Sequence, residues 1–154
     1  MTTYVDSSAL VAVYVPEQFS KAARRAVRAV PQVPFTQLHE LEVANAFELL
    51  TGRGLISRDE CRAIYAQLQD DVESQRLARV TLNLESVFIG AHDLSRTYTA
   101  KLLTRSLDLL HVSAALVMRC SVFASADDRQ LAAAKASGLK VVDIKRRDGR
   151  RKKL

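Results

Sequence analysis

Residues 2–14 read TTYVDSSALVAVY, and this stretch decides the fold. Its first part, Thr2–Val5, contains β-branched and aromatic residues that favour a short strand ending at Asp6. The following part, Ser7–Tyr14, is rich in alanine and other apolar residues and predicts a helix. A strand that passes directly into a helix is the unit from which layered α/β proteins are built.

The rest of the chain repeats this alternation. Further strands are predicted at Val33–Thr36, Val80–Leu82, Ser121–Ser125 and Leu139–Val142. Helices are predicted from Pro16 to about Ala29, over Gln37–Leu50, from the N-cap Ser57 to about Arg79, over 85–104 in one or two pieces, over Leu109–Met118 and over Asp127–Ala136. This order predicts an α/β fold with a mainly parallel sheet.

Composition indicates one ordinary domain, which we expect to cover residues 1–144. Of the 154 residues 48% are hydrophobic and 26% charged, as in globular proteins. The net charge of +6 equals that of a basic tail, residues 145–154, which could contact phosphates or acidic partners or only aid solubility. Without a long apolar run or a signal-like N-terminus, we expect a cytoplasmic protein. Cys61 and Cys120 lack metal or redox spacing and are interpreted as ordinary reduced residues.

Four acids stand where chemistry is expected in such a fold. Asp6 ends the first strand, Asp127 follows the fourth, and Asp108 begins a helix. Glu42 lies on an apolar helical stripe, with Leu38, Ala46 and Leu49 as its neighbours, where an unpaired carboxylate is costly. Each aspartate could equally be a helix N-cap. The functional interpretation therefore rests on the four acids together.

At these residues the sequence resembles the PIN domains. The resemblance is carried by four motifs in order: YVDSSAL at 4–10, TQLHELEVANA at 36–46, LDLLHVSAAL at 107–116 and FASADDRQL at 123–131. The last motif continues through Ala133–Val142, so the resemblance spans residues 4 to about 142. Two departures are Ser125, where the family usually has Thr, and the adjacent acids Asp127 and Asp128. Position favours Asp127 as the site acid, with Asp128 pointing outward. In length and in the form of its motifs the chain is similar to VapC, the toxin half of type II toxin–antitoxin pairs.

The resemblance implies a three-layer α/β/α PIN-like fold and a metal-dependent endoribonuclease that leaves a 5′-phosphate and a 3′-hydroxyl. Clustered carboxylates need protons or a cation at neutral pH, and hard oxygen ligands suit Mg²⁺ or Mn²⁺. Asp6, Glu42 and Asp108 are the first candidate ligands, and Asp127 completes the pocket. Ser7 and Ser125 are expected to hydrogen-bond these acids. RNA as substrate, a cognate antitoxin and a homodimer are the implied partners, with no membrane association.

Other functions stay open at this point. The chain could be a non-catalytic RNA- or protein-binding module, or an RNA-processing nuclease without a toxin role. A phosphatase of similar topology is disfavoured because the first strand ends Asp6-Ser7-Ser8 rather than with an acidic pair. Serine-hydrolase and nucleotide-binding motifs are missing from the sequence. His111 is expected to pack at a helix start, and neither His39 nor His92 has a partner at metal spacing.

Overall fold

A computed structural model describes residues 2–146, in which strands alternate with helices along the chain. The strands are β1 (Thr3–Val5), β2 (Val33–Thr36), β3 (Leu77–Val80), β4 (Val122–Ser125) and β5 (Lys140–Asp143). The helices are α1 (Ser7–Tyr14), α2 (Ser20–Arg28), α3 (Gln37–Gly52), α4 (Arg58–Glu73), α5 (Leu84–Leu94), α6 (Ala100–Leu102), α7 (Ser106–Val117) and α8 (Asp128–Ala136), with a π-helical turn at Ser95–Thr99. The predicted α/β class is confirmed.

The strands pair in parallel, as predicted, in two groups. β4 lies between β1 and β5, and β2 pairs with β3. β1 also contacts β2, and at this junction the buried His39 ring donates to the Val5 carbonyl at 2.7 Å. The spatial order is therefore β3-β2-β1-β4-β5. β2 lies on one side of β1 and β4 on the other, so the sheet has a topological switch point at β1. In open α/β sheets, ligands bind at such a point, beyond the carboxyl ends of the strands.

Helices cover both faces of the sheet, which gives the expected three layers. On one face, Val5 and Ala124 belong to a core that includes residues of α1, α2, α3 and α4. On the other face, Tyr4 and Phe123 belong to a core built with α5, α7 and α8. The rings of Tyr4 and Phe123, register partners on β1 and β4, stack at 5.5 Å. Successive strand residues thus point to opposite layers.

The predicted boundary between the fourth helix and the third strand is wrong by several residues. α4 ends at Glu73 rather than near Arg79, because Gln75 adopts a left-handed φ of 63° that helices do not continue through. The strand is Leu77–Val80 rather than Val80–Leu82, since its register with β2 begins at Val33. Pairing with a neighbouring strand has overridden local helix preference.

Two predicted helix starts also shift. α2 begins at Ser20 instead of at Pro16, because the Ser20 hydroxyl donates to the Val15 carbonyl and accepts from the Glu17 N–H, which closes a turn. α7 begins at Ser106, so that Asp108 lies inside its first turn rather than before the helix.

The basic tail predicted at 145–154 lies outside the described residues from 147 onward. Its first residue, Lys145, pairs with Asp128. Across residues 2–146, each helix is too short or too polar to cross a bilayer.

Candidate active site

The four acids chosen from the sequence line one cavity of about 540 Å³ at the carboxyl edge of the sheet. Asp6 and Asp127 follow β1 and β4 as the N-caps of α1 and α8. Glu42 and Asp108 reach the same edge from the beginning of α3, which starts directly after β2, and from the first turn of α7. The structure therefore brings Asp6 together with three acids that lie 36 to 121 positions later in the sequence.

Asp6 is the most deeply placed of these acids, with 6% of its surface exposed. Its carboxylate accepts from the Ala9 N–H at 3.0 Å and from the Ser8 hydroxyl at 2.8 Å. Burial raises the pKa of the Asp6 carboxyl, and these two hydrogen bonds together with nearby His111 offset part of that rise. Asp6 is therefore both the helix N-cap and a wall of the cavity, so the two roles that the sequence allows are combined in one carboxylate.

Glu42 is held by two neighbours inside the cavity. The Ser7 hydroxyl donates to Glu42 Oε1 at 3.0 Å, and His111 Nε2 makes a short hydrogen bond to the same oxygen. On its other side, His111 Nδ1 is 2.6 Å from the Tyr4 hydroxyl. Burial raises the pKa of Tyr4, so its hydroxyl keeps its proton and can donate to Nδ1. That leaves the Nε2 proton pointing at Glu42.

Asp108 and Asp127 share one cation. Arg105 Nε lies 3.0 Å from Asp108 Oδ2, and another nitrogen of the same guanidinium lies 3.5 Å from Asp127 Oδ2. The Arg105 side chain is 71% exposed, whereas that of Asp108 is only 16% exposed. The hydrogen bond to Asp108, followed by the negative charges of Asp108 and Asp127, raises the pKa of Arg105. The guanidinium offsets repulsion between the two acids and can leave toward solvent.

The buried side-chain amide of Gln130 links the part of the cavity wall at Asp108 to the part at Ser125. Gln130 is 1% exposed; its side chain donates to the Asp108 carbonyl at 3.3 Å and accepts from the Ser125 hydroxyl at 2.8 Å. The Ser125 hydroxyl also accepts from the Asp127 backbone N–H, at 3.0 Å. Ser125 was expected to bind a site carboxylate; its hydrogen bonds instead fix the backbone around Asp127, while its hydroxyl is close enough to lower the pKa of Asp6.

The donor chemistry of the cavity fits a hard divalent cation, since its four carboxylates offer only oxygen ligands. As the side chains stand, however, no three Asp, Glu, His or Cys residues within 2–146 are grouped closely enough to hold a metal ion directly. Other partners occupy the acids: Arg105 holds two of them, and Ser7 with His111 holds a third. A cation would have to displace these partners or act through water.

Three residues of the cavity were missed or misjudged from the sequence. His111, expected to serve helix packing, faces Glu42, and Arg105 and Gln130 were not proposed for the site. A usable signal was present for Arg105, which precedes Asp108 by one helical turn. The apolar helical stripe predicted around Glu42 is only partly buried, because Leu49 is 47% exposed. Asp128 points outward, as predicted, and is 80% exposed.

Comparisons with known proteins place the chain in context. The family model described as PIN domain matches residues 3–137. Ribonuclease VapC3 of Pyrobaculum aerophilum is 38% identical over 68 residues, which are 44% of this chain and 52% of the relative. The chain thus matches about half the length of this curated relative.

Solved structures share the fold at low sequence identity. FitAcB from Neisseria gonorrhoeae has a TM-score of 0.66 at 11% identity, covering 93% of this chain and 98% of the other. FitAB bound to an IR36 DNA fragment has a TM-score of 0.67 at 10% identity, covering 97% and 99%. VapBC-1 from nontypeable Haemophilus influenzae has a TM-score of 0.61 at 14% identity, covering 95% and 100%. These likenesses bear on the fold.

Proposed function

The chain belongs to the PIN domain family, and from that membership we propose that it is a metal-dependent endoribonuclease acting as the toxin of a toxin–antitoxin pair. One observation supports the proposal above the others. Asp6, Glu42, Asp108 and Asp127 come from four separate elements and line one cavity. A fold has little reason to bring carboxylates together at neutral pH unless a cation joins them.

The four acids would hold Mg²⁺ or Mn²⁺, in part through water, because Mg²⁺ keeps several of its waters in proteins. When bound, the metal supplies a water of lowered pKa and offsets charge on the phosphoryl oxygens. Glu42, oriented by Ser7 and His111, is the acid best placed to accept a proton. Arg105 adds a guanidinium that can hydrogen-bond a phosphate once it releases its two acids.

The toxin role rests on relatives. The matched part of the chain resembles a protein named Ribonuclease VapC3, and the solved neighbours include complexes named FitAB and VapBC-1. We therefore propose a cognate antitoxin as protein partner and RNA as substrate, together with a homodimer. Growth arrest on expression, relieved by co-expression of a small DNA-binding protein from the neighbouring reading frame, would distinguish a toxin from an RNA-processing nuclease.

The activity is tested with purified protein and a labelled RNA in Mg²⁺, Mn²⁺ or EDTA. Cleavage is expected only with the divalent ions, and Asp6→Asn and Asp127→Asn should each reduce it at least 100-fold, a loss of about 2.7 kcal/mol of transition-state stabilisation. Asp128→Asn is the matched control, since this acid is adjacent in sequence but exposed and outside the cavity.

Two results would decide against the proposal. RNA binding without cleavage under any metal condition would favour the non-catalytic binding module. Equal losses in Asp127→Asn and Asp128→Asn would show that position in the cavity does not matter.

A further inference from the structure

A basic stripe runs along α2, away from the acidic cavity. Its members are spaced at i, i+3, i+4 and i+7, which places them on one helical face, and all are exposed: Lys21, Arg24, Arg25 and Arg28. The opposite face, with Ala23 and Val27, is buried. Most solvated helices mix charges of both signs, but α2 contains no acidic residue.

These side chains form a concave surface and not only a charged face. The four members of the stripe, together with Ala29, line a cavity of about 520 Å³. Within residues 2–146, Lys21 and Arg28 have no hydrogen bond or ion pair to another side chain. A concave site with cationic walls focuses its field and attracts anions.

The stripe continues toward the far end of α1. Arg24 and Arg28 also line an adjoining cavity of about 450 Å³ with Val13 and Tyr14, and Arg24 Nε donates to the Val13 carbonyl at 3.0 Å. Two acids, Asp70 and Asp71, stand in this second cavity. An anion is therefore directed to the first cavity, where the charged walls are all basic.

α1 sets the distance between the stripe and the acidic cavity. The helix follows its N-cap Asp6, which lies in the acidic cavity, and ends at Tyr14, beside the stripe. Eight helical residues extend about 12 Å. A single strand that reaches both places must therefore span at least about 12 Å, which is about four nucleotides at a stacked spacing of about 3.4 Å.

We propose that the α2 stripe binds the phosphate backbone of the RNA substrate at a distance from the cut site. The inference rests on the proposed function, and it specifies the substrate class as an RNA long enough to reach from the acidic cavity to α2. Arginine predominates in the stripe, and its planar guanidinium can donate two hydrogen bonds to one phosphate. These contacts would add affinity without sequence preference.

The test removes one lysine and one arginine that have no side-chain partner within residues 2–146, in the variant Lys21→Gln/Arg28→Gln. Its matched control, Arg96→Gln/Lys101→Gln, removes the same charges from exposed positions on the other face of the sheet. Binding of fluorescein-labelled U30 and U4 is followed by anisotropy in EDTA, so that no cleavage is needed. Thermal unfolding checks that each variant is folded.

The stripe variant should bind U30 about 5- to 20-fold more weakly than the parent, as expected for two exposed charge contacts. Its salt dependence, the slope of log K against log salt, should fall by about 1.4. U4, which offers few phosphates to the stripe, should bind the parent much more weakly than U30, and the control should bind U30 nearly as the parent does. In Mn²⁺ the stripe variant should raise KM for U30 and leave kcat unchanged.

Several outcomes would overturn the inference while leaving the nuclease proposal standing. One is a parent that fails to bind U30; another is equal weakening in the stripe variant and the control. Polyglutamate of equal charge that binds the parent as tightly as U30 would indicate an acidic protein partner instead. If the stripe result holds but Asp6→Asn still cleaves RNA normally, the proposed function fails and the RNA surface remains.

Discussion

Replacing Arg105 should have opposite effects on the metal-free protein and on metal binding. In the structure its guanidinium contacts Asp108 at 3.0 Å and Asp127 at 3.5 Å, so Arg105→Gln leaves two neighbouring carboxylates without their shared cation. Because the Arg105 side chain is 71% exposed, solvent screens these contacts, and together they are worth about 1 kcal/mol. The metal-free variant should therefore unfold about 2–4 °C below the parent.

The free energy of the Arg105 contacts also lowers the affinity of the parent protein for a divalent cation. A divalent ion that binds the parent must first compete with Arg105, and the variant removes that competition. A difference of about 1 kcal/mol corresponds to about fivefold tighter binding. Mn²⁺ affinity measured by electron paramagnetic resonance, alongside calorimetric unfolding with and without Mn²⁺, gives both quantities without requiring activity.

Two matched variants separate contact from long-range charge. Arg129→Gln removes an exposed charge from the first turn of α8, outside the cavity walls, and should change Mn²⁺ affinity much less. Arg105→Lys keeps the charge but loses the fork that reaches both acids, and should lie between the parent and Arg105→Gln. The reasoning is refuted if Arg105→Gln binds Mn²⁺ no more tightly than the parent, or if Arg129→Gln gains as much.

Three further predictions concern the surroundings of the site. Burial lowers the pKa of His39 to about 3, so between about pH 6.5 and pH 3 only the unfolded chain takes up this proton. The free energy of unfolding should therefore decrease as the pH is lowered from about 6.5, by up to about 1.4 kcal/mol per pH unit. His39→Gln should flatten this pH dependence in denaturant titrations at pH 5 to 7. A Cβ at Gly90 would clash with Ser113 Oγ, so Gly90→Ala should cost about 1–3 kcal/mol in chemical denaturation. Ser113→Ala should restore part of this in the double variant, because it removes the clash but also the hydrogen bond to the Val87 carbonyl. Tyr4→Phe removes the hydroxyl beside His111 Nδ1 and should lower cleavage about 3- to 10-fold, with a shift in the His111 ring ¹⁵N resonances; unchanged resonances would contradict the role given to Tyr4.

The sequence was sufficient where local chemistry and chain direction decide the outcome. The passage from a strand through Asp6 into a helix specified both the parallel sheet and the edge at which the site lies. It was insufficient where distant elements decide, as in β3, whose start is set by pairing with β2. The pairing of Arg105 with Asp127 depends on how α7 and α8 meet, which no local pattern encodes.

The α2 stripe marks an intermediate case. Its spacing of basic residues can be read directly from the sequence, but the exposed direction of that face depends on the packing of α2 against α1. Likewise, the resemblance located Glu42, whereas its contacts with Ser7 and His111 required coordinates. Sequence reasoning thus found the acids, and the structure supplied the groups that hold them.

Anomalous diffraction from crystals soaked in Mn²⁺ tests the central proposal most directly. We expect a manganese peak inside the cavity bounded by Asp6, Glu42, Asp108 and Asp127, with Arg105 moved away from at least one of its acids. Crystals whose only manganese peaks lie elsewhere, with Arg105 still joining Asp108 to Asp127 at saturating Mn²⁺, would contradict it.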